Sequence, residues 1–426
     1  MRQGHVRWRD CVSTACATLR AFLGRVLGPD HPCRAAVARL IAARVARGEA
    51  PCSPQTGPYC KARQRLPVAV PSRLARRVGR APEDRADPDR RFKGRRVPLA
   101  DGTTLSMPDT PESQRAFPLP ATRKPGLGFP PARLVAVISP ATGAARDLAV
   151  GPYLGKRTGA SALSRGLWDR LSPGDVVVGD RSFCSSAARA SSRGRGIDAV
   201  FGMHRCRKVD SRRGTRPGGL DHVVNGPKPA CPDWMDRATY DGLPDRLAVR
   251  ELRVKVERAG LRVDELVLAT TLPDGVTYAK GEVAGLDFER WDIELDLRSI
   301  KAEMRMDVLR CKTPERVEEE VWAHPLAYDA VRSAMADAAR GQGQGPRDLS
   351  FVGAMQTVRA FDEATRASCP TRRVELARER VRAIASHRVG DRPGRVEPRA
   401  IQRRPEPHRL LTVPRREARK LLAHEA

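Results

Sequence analysis

Hydrophobic and polar residues change their spacing along this chain, which predicts a helical beginning followed by a mixed α/β body. Within residues 1 to 85 the apolar positions recur at helical intervals, with an amphipathic stretch at 34–46 and a basic segment, 59–66, after a Pro/Gly/Ser loop. From residue 96 onward, short apolar and β-branched runs are separated by turn residues, which is typical of strands. We therefore expect a small helical domain over 1–85 and a different kind of domain after a polar linker at 86–95.

The body that follows alternates strands and helices. The pattern predicts, in order, a strand at 96–107, a hairpin of 133–139 with 145–150, a helix at 158–171, a strand at 175–180, a helix at 185–192 and a strand at 197–203. This order resembles a ribonuclease H-like α/β fold. In that fold, acidic residues at the ends of adjacent strands converge with one from a downstream helix.

The pattern changes again after residue 204. Residues 204–283 read as a β-rich insertion with two long antiparallel strands at 246–256 and 261–271. A helix at 315–338 contains Pro325, which should kink it. The catalytic domain is accordingly predicted over 86–340. The rest, 341–426, is a basic C-terminal region whose Arg- and Pro-rich part, 388–416, we expect to be extended.

The charge of the chain points to a polyanionic partner. The 426 residues carry a formal net charge of +28, which favours nucleic acid, although arginine enrichment in a GC-rich genome could also contribute. No apolar run is long enough for a membrane span, and no signal core is evident. Ten cysteines without a CxxC pair indicate a reducing, cytoplasmic setting, and eight histidines without a metal-type cluster argue against zinc.

The segment 287–301 carries the most informative pattern in the chain. Its spacings of 4, 4 and 3 would place one carboxylate and three cations on one helical face: Glu294 with Arg290, Arg298 and Lys301. A neighbouring apolar stripe is formed by Ile293, Leu297 and Ile300. Such a helix can dock on a core and present a face suited to a metal ion and a DNA phosphate.

Three carboxylates are candidates for one metal-dependent site: Asp101 and Asp180 at predicted strand ends, and Glu294 on the helix. Two-metal phosphodiester chemistry needs hard oxygen ligands, so Mg²⁺ is expected, with Mn²⁺ as a substitute. Each residue also has a plain structural interpretation. Asp101 could form a turn, Asp180 a local salt bridge, and Glu294 pairs within its helix. The competing carboxylates are interpreted as turn or solvated-face residues: Asp109, Asp175, Asp292 and Asp296.

These residues give the chain a family resemblance. Arg290, Glu294 and Lys301 stand at the spacings of the Tyr-x2-Arg-x3-Glu-x6-Lys motif, so the chain resembles the DDE transposases of bacterial insertion sequences that carry this motif. Further similar stretches lie at 100–111, 124–130, 179–184 and 306–315, and the likeness extends loosely over nearly the whole chain.

The resemblance implies cut-and-paste transposition. A homodimer would bind double-stranded DNA at terminal inverted repeats, cleave it with metal-activated water, pass through a hairpin and join the ends to target DNA. Segment 204–283 would be the β-strand insertion of this subgroup, and a nucleoid-associated cytoplasmic protein is expected. Six residues are implied in DNA contact: Arg290, Lys301, Arg298, Lys124, Arg181 and Trp234. Trp234 or Trp291 could stack on a flipped base, although a core role is also open for either.

Two positions depart from the family pattern. The tyrosine of the motif is replaced by Asp287, whose carboxylate would repel a phosphate, and Pro325 interrupts an expected helix. The alternative function is therefore a catalytically impaired remnant that still binds DNA.

Overall fold

The computed structural model describes residues 12–28, 32–120, 128–204, 207, 209–210, 212–256, 265–390 and 412–424. The chain forms two compact units. The first comprises Met1–Gly94, Ala136–Leu148 and Ile293–Val389, and the second comprises Arg95–Val135, Ala149–Asp292 and Gly390–Ala426. These units differ from the domains predicted at 1–85, 86–340 and 341–426, which stay a prediction about functional division.

The first unit is mainly helical, as its amphipathic patterns predict. Its early helices are α1 (Ala15–Leu27), α2 (Cys33–Val45), α3 (Thr56–Gln64) and α4 (Ala69–Asp84). The numbering continues in the second unit with α5 to α9, and α10 (Trp291–Arg298) crosses the boundary at Ile293. The later helices of the first unit are α11 (Pro314–Arg340), α12 (Phe351–Ala367) and α13 (Pro370–Ser386). The tail predicted to be extended lies mostly outside the described residues, apart from α14 (Arg415–His424).

The long helix α11 is the centre of the first unit. It runs without a break through Pro325, which is buried, so the expected interruption is wrong. Tertiary burial of most of the helix outweighs the local cost of a proline. Two buried ion pairs attach earlier helices to α11, Arg25 with Glu320 at 2.5 Å and Arg63 with Glu319 at 3.2 Å.

The second unit is built on a sheet. Its strands are β1 (Leu99–Ser106), β2 (Pro131–Ile138), β3 (Ala145–Pro152), β4 (Val176–Gly179), β5 (Asp198–Gly202), β6 (Thr215–Gly218), β7 (Asp221–Pro227), β8 (Arg246–Lys255) and β9 (Glu265–Thr270). Parts of β2 and β3 belong to the first unit. The described strands are ordered β3-β2-β1-β4-β5-β9-β8-β7-β6. The predicted mixed α/β fold with a large sheet is confirmed, because nearly every predicted strand is present.

Strand direction divides the sheet into two parts. Strand β4 pairs in parallel with both β1 and β5, while β9, β8, β7 and β6 follow with antiparallel pairings. The predicted β-rich insertion thus continues the central sheet through the β5–β9 pairing. The remaining helices are α5 (Pro111–Ala116), α6 (Ala160–Trp168), α7 (Ser186–Gly194), α8 (Arg237–Asp241) and α9 (Lys280–Glu289).

The segment predicted as one helix over 287–301 is divided into three parts. Helix α9 ends at Glu289, α10 covers Trp291–Arg298, and a π-helical segment follows at Ser299–Glu303. Arg290 is therefore the C-cap of α9, and Lys301 lies in the wider π turn, so the predicted single helix is not uniform. The shared face of Arg290, Glu294, Arg298 and Lys301 stays a prediction. The apolar stripe is confirmed, since Ile293, Leu297 and Ile300 are all buried.

Over the part of the chain that the structure describes, no helix has the length and apolar character that crossing a membrane requires.

Candidate active site

Two of the three predicted catalytic carboxylates belong to neighbouring strands. The parallel pairing of β1 and β4 ends at Ala100 opposite Gly179. The next residues are Asp101, still within β1, and Asp180, directly after β4, so both aspartates follow the last residues of this pairing. Asp180 directly follows β4, as expected, whereas Asp101 is the third residue of β1 rather than its last. Both side chains are half-buried.

Small residues shape the chain around Asp180. A Cβ added at Gly179 would lie 2.8 Å from the ring of Phe183, so glycine lets this buried ring pack under the strand end. Beyond the strand, Asp180 Oδ1 accepts hydrogen bonds from the backbone N–H of Ser182 at 2.9 Å and from its hydroxyl at 2.5 Å. Asp101 Oδ1 accepts from the Gly102 N–H at 2.7 Å. Each carboxylate is thus held by a hydrogen bond from a nearby backbone N–H.

Glu294 has a different setting. It is an exposed residue of α10 and belongs to the first unit, whereas Asp101 and Asp180 belong to the second. Among the described residues, no group of three or more Asp, Glu, His or Cys side chains forms a ready-made metal site. The convergence of the three acidic residues therefore stays a prediction. The paired aspartates by themselves offer the hard oxygen donors that Mg²⁺ and Mn²⁺ prefer.

A cavity of about 700 Å³ opens beside Asp180 in the second unit. It is bounded by the end of β5, by β8 and β9, and by the C-terminal end of α9. Its charged and aromatic lining consists of Asp180, Arg181, His204, Arg207, Arg253, Glu265, Asp287, Arg290 and Trp291. Four arginines face three carboxylates there, which suits an anionic ligand held near a cation-binding edge.

Asp287 occupies the inner wall of this cavity. It is buried, with 2% of its surface exposed, and its carboxylate pairs with Arg290 at 3.2 Å. Burial raises the pKa of Asp287, Arg290 opposes that rise, and the charge of Asp180 adds to it. The carboxylate of Asp287 is thus paired with Arg290, and its expected effect on a phosphate stays a prediction.

The structure distributes the predicted DNA-contacting residues. Arg181 and Arg290 line the cavity with Asp180. Arg298 is exposed on α10, and Lys301 is half-buried in the π segment. Trp234 is half-buried, and the Arg165 guanidinium lies 3.9 Å from its ring centroid. The sixth residue, Lys124, lies outside the described residues.

Two carboxylates interpreted as turn or solvated-face residues are in fact buried. Asp175 is paired with Arg96 at 3.2 Å. Asp296 has 0% exposure and contacts two arginines. The signal for Asp296 was present in the spacing, because it stands three residues after Ile293 and four before Ile300, on the apolar side of the helix. Of the other two, Asp109 is exposed and Asp292 half-buried.

The class of this protein follows from comparison with known proteins. The transposase DDE domain family matches residues 92–329, more than half of the chain. The chain belongs to this family, and its function is that of a transposase. Asp101, Asp180 and Glu294 all lie within the matched span.

A relative and a solved structure are among the proteins similar to this chain. The transposase InsG for insertion sequence element IS4 of Escherichia coli (strain K12) is 26% identical over 354 residues, covering 81% of this chain and 76% of that protein. The cryo-EM structure of a piggyBac transposase synaptic complex with hairpin DNA has a TM-score of 0.42 and 10% identity, covering 92% of this chain and 80% of that one. DDE transposases generally use divalent metal ions and act on DNA.

Proposed function

We propose that this transposase moves an insertion sequence by a cut-and-paste route, with Asp101, Asp180 and Glu294 as its metal-holding carboxylates. The observation that supports the proposal is that Asp101 and Asp180 directly follow the last paired residues of β1 and β4, within the family-matched span. The strand order β3-β2-β1-β4-β5 supports a ribonuclease H-like core around that pair. Arg290, Glu294 and Lys301 keep the spacing of the Tyr-Arg-Glu-Lys subgroup, to which we assign the chain.

The three carboxylates would hold Mg²⁺, or Mn²⁺ in its place. The bound ions supply an activated attacking oxygen and stabilisation of the leaving oxygen. The protein's own residues orient the substrate. Arg181 and Arg290, on the cavity wall beside Asp180, would contact phosphates near the scissile bond. Arg298 and Lys301, two further cations after Glu294 in the same segment, would extend that contact along the DNA backbone.

The cavity also offers a place for an unpaired base. Trp291 is half-buried in its wall, and the Arg290 guanidinium lies 5.4 Å from the ring centroid. Stacking of an extruded base on an aromatic ring offsets part of the cost of unpairing it. We therefore assign the base-stacking role to Trp291 rather than Trp234, whose ring is already covered by Arg165. Because both ends of the element must be cut, we expect a homodimer to bind the two inverted repeats. Target DNA would be the second substrate.

Cleavage of a labelled duplex carrying the element's own ends tests this function. In Mg²⁺ or Mn²⁺, wild-type protein should cut at the element boundary, and Glu294→Gln should not. Glu303→Gln, an exposed carboxylate of the adjoining π segment, is the matched control and should cut normally. Cleavage by Glu294→Gln at the wild-type rate would contradict the assignment of this residue.

A second candidate function is a catalytically impaired remnant that binds element ends. The observation that favours it is Asp287 at the tyrosine position of the motif. Specific end binding without cleavage by either wild-type or Glu294→Gln protein would support it. Asp287→Tyr would then be the variant in which cleavage is expected to return. Pro325 no longer favours this alternative, because α11 is continuous.

A further inference from the structure

The strongest buried polar cluster of the first unit lies directly behind Glu294. Asp296, two residues further along α10, accepts hydrogen bonds through both of its carboxylate oxygens. Oδ1 accepts from Arg332 Nη2 at 2.5 Å, and Oδ2 accepts from Arg347 Nη2 at 2.7 Å. Asp296 has 0% exposure and Arg332 has 5%, so the charge-assisted bond between these two residues is formed away from water.

The cluster joins α10 to two other parts of the first unit. The Tyr328 hydroxyl accepts from Arg332 Nε at 2.8 Å and can donate to Asp296 Oδ1 at 3.0 Å or to the Gly143 carbonyl at 2.7 Å. Arg347 donates through Nε to the carbonyl of Pro140 at 2.5 Å. Helix α11 and the β2–β3 connection therefore hold the two arginines on Asp296 from separate directions.

The backbone beside the cluster is shaped to admit it. Gly143 has a φ of +72°, and a Cβ there would lie 2.8 Å from the guanidinium carbon of Arg332. A glycine is thus required both for the turn and for the close approach of the arginine. The close packing of Arg332 against Gly143 distinguishes this cluster from a surface ion pair.

The local helix geometry makes an external anchor necessary. Two residues turn an α-helix by about 200°, so Asp296 and Glu294 point to nearly opposite sides of α10. The helix passes straight into the π-helical segment at Ser299–Glu303, where the regular hydrogen-bond ladder changes. An anchor on the buried side sets the rotation of the helix about its axis, and hence the direction of the exposed Glu294 carboxylate.

We propose that Asp296, held by Arg332 and Arg347, is a positioning residue that orients Glu294 toward the catalytic metal ion. The inference rests on the proposed role of Glu294 as a metal-holding carboxylate. Residues that support metal-binding side chains from outside the metal site commonly set their orientation. Loss of such a residue lowers metal affinity or activity roughly 10–100-fold.

A Mn²⁺ titration tests the proposal without cleavage. The protein is bound to a pre-nicked end duplex, and electron paramagnetic resonance measures the free ion. Asp296→Asn should raise the Mn²⁺ dissociation constant roughly 10–100-fold, toward the value for Glu294→Gln, while end-DNA affinity is unchanged. The Mn²⁺ concentration for half-maximal cleavage of an intact duplex should rise by the same factor. The double variant should bind Mn²⁺ no more weakly than Glu294→Gln alone, because both changes remove one interaction.

Arg25→Gln provides the control for a purely structural effect. It removes another buried ion pair of α11, between Arg25 and Glu320, whose side chains are 3% and 1% exposed. This variant should unfold at a lower temperature yet bind Mn²⁺ with wild-type affinity. If Asp296→Asn behaves in the same way, with lowered stability and an unchanged Mn²⁺ constant, Asp296 is structural and the proposal is overturned.

Arg347→Gln keeps the test decisive if Asp296→Asn does not fold. The Arg347 side chain is 20% exposed, and its removal leaves Asp296 paired with Arg332. A several-fold rise in the Mn²⁺ constant is expected, and no rise would overturn the proposal. The failure of the proposed function has a different signature. In that case Glu294→Gln itself binds Mn²⁺ and cleaves like wild type, which removes the role that Asp296 is proposed to support.

Discussion

Asp180 and Asp287 line the same cavity, and the charge of Asp180 is one of the influences that raise the pKa of Asp287. Asp287 also pairs with Arg290, so the arginine that we propose contacts a DNA phosphate is shared with a buried carboxylate. Asp287 therefore interacts with both an acidic and a basic residue of the cavity.

Asp287→Asn is expected to release Arg290 for the DNA backbone. The slope of log affinity for end DNA against log salt concentration should steepen by about one unit, because one additional phosphate is neutralised. Fluorescence anisotropy at several salt concentrations measures this slope. Asp169→Asn, which removes a surface partner of Arg195 away from the cavity, is the control and should leave the slope unchanged. An unaltered slope for Asp287→Asn would show that Arg290 does not reach the DNA.

Asp101→Asn and Asp180→Asn should each abolish most cleavage while preserving the fold. Both lose a charged oxygen donor at the end of the β1–β4 pairing, and the expected fall in cleavage rate is at least about 100-fold. The thermal unfolding midpoint should move little, because both side chains are only half-buried. Asp109→Asn, at an exposed position, serves as the reference. Wild-type cleavage by either variant would remove that aspartate from the site.

The buried carboxyl group of Asp329 is expected to make the stability of the first unit depend on pH. Burial raises its pKa well above the ordinary 3.8, despite a hydrogen bond from the Ala145 N–H. The folded protein therefore binds more protons at this group, and its contribution to stability falls as pH rises above 3.8 toward the folded pKa. Asp329→Asn should remove that fall and stabilise the protein at pH 8 by on the order of 1 kcal/mol.

Thermal unfolding of wild type and Asp329→Asn between pH 4 and pH 8 measures this effect. The two unfolding midpoints should diverge with rising pH, with the variant the more stable. Asp362→Asn, a change at an exposed carboxylate of α12, should run parallel to wild type. Parallel curves for Asp329→Asn as well would contradict the assigned direction.

Gly79→Ala should destabilise the first unit. A Cβ at Gly79 on α4 would lie 2.0 Å from the Ala145 carbonyl oxygen, so the helix or the strand must move. The free energy of unfolding in urea should fall by roughly 1–3 kcal/mol or more. Gly57→Ala is the matched change, in helix α3 of the same unit and with nothing within 4 Å of the added carbon. Equal stability for the two variants would mean that the close approach at Gly79 is relaxed in solution.

The sequence predicted the elements of the fold well, because their signals are local. Helical spacing predicted the helical character of residues 1–85, and apolar runs located β1, β4 and β5. Even the position of Asp180 at the end of β4 was predicted, since a buried run followed by a charged turn residue marks where a strand ends. The stripe Ile293, Leu297 and Ile300 was predicted for the same reason, and all three are buried.

The sequence did not predict which distant residues contact each other, because those contacts join segments far apart in the chain. The run 287–301 carries a helical pattern throughout, yet packing divides it into α9, α10 and a π segment. Asp296 was interpreted as solvated, although it meets Arg332 and Arg347 in the interior. Pro325 was expected to interrupt a helix that tertiary burial holds continuous.

By itself, the sequence determined which residues form strands and helices, which family they resemble and which carboxylates could hold a metal ion. Only the tertiary structure decided that β1 pairs in parallel with β4, that β9 extends the sheet from β5, and that Arg290 pairs with Asp287. Periodicity reports which side of an element avoids water. Strand register and the pairing of buried charges depend instead on which distant segments meet, and a one-dimensional pattern does not specify them.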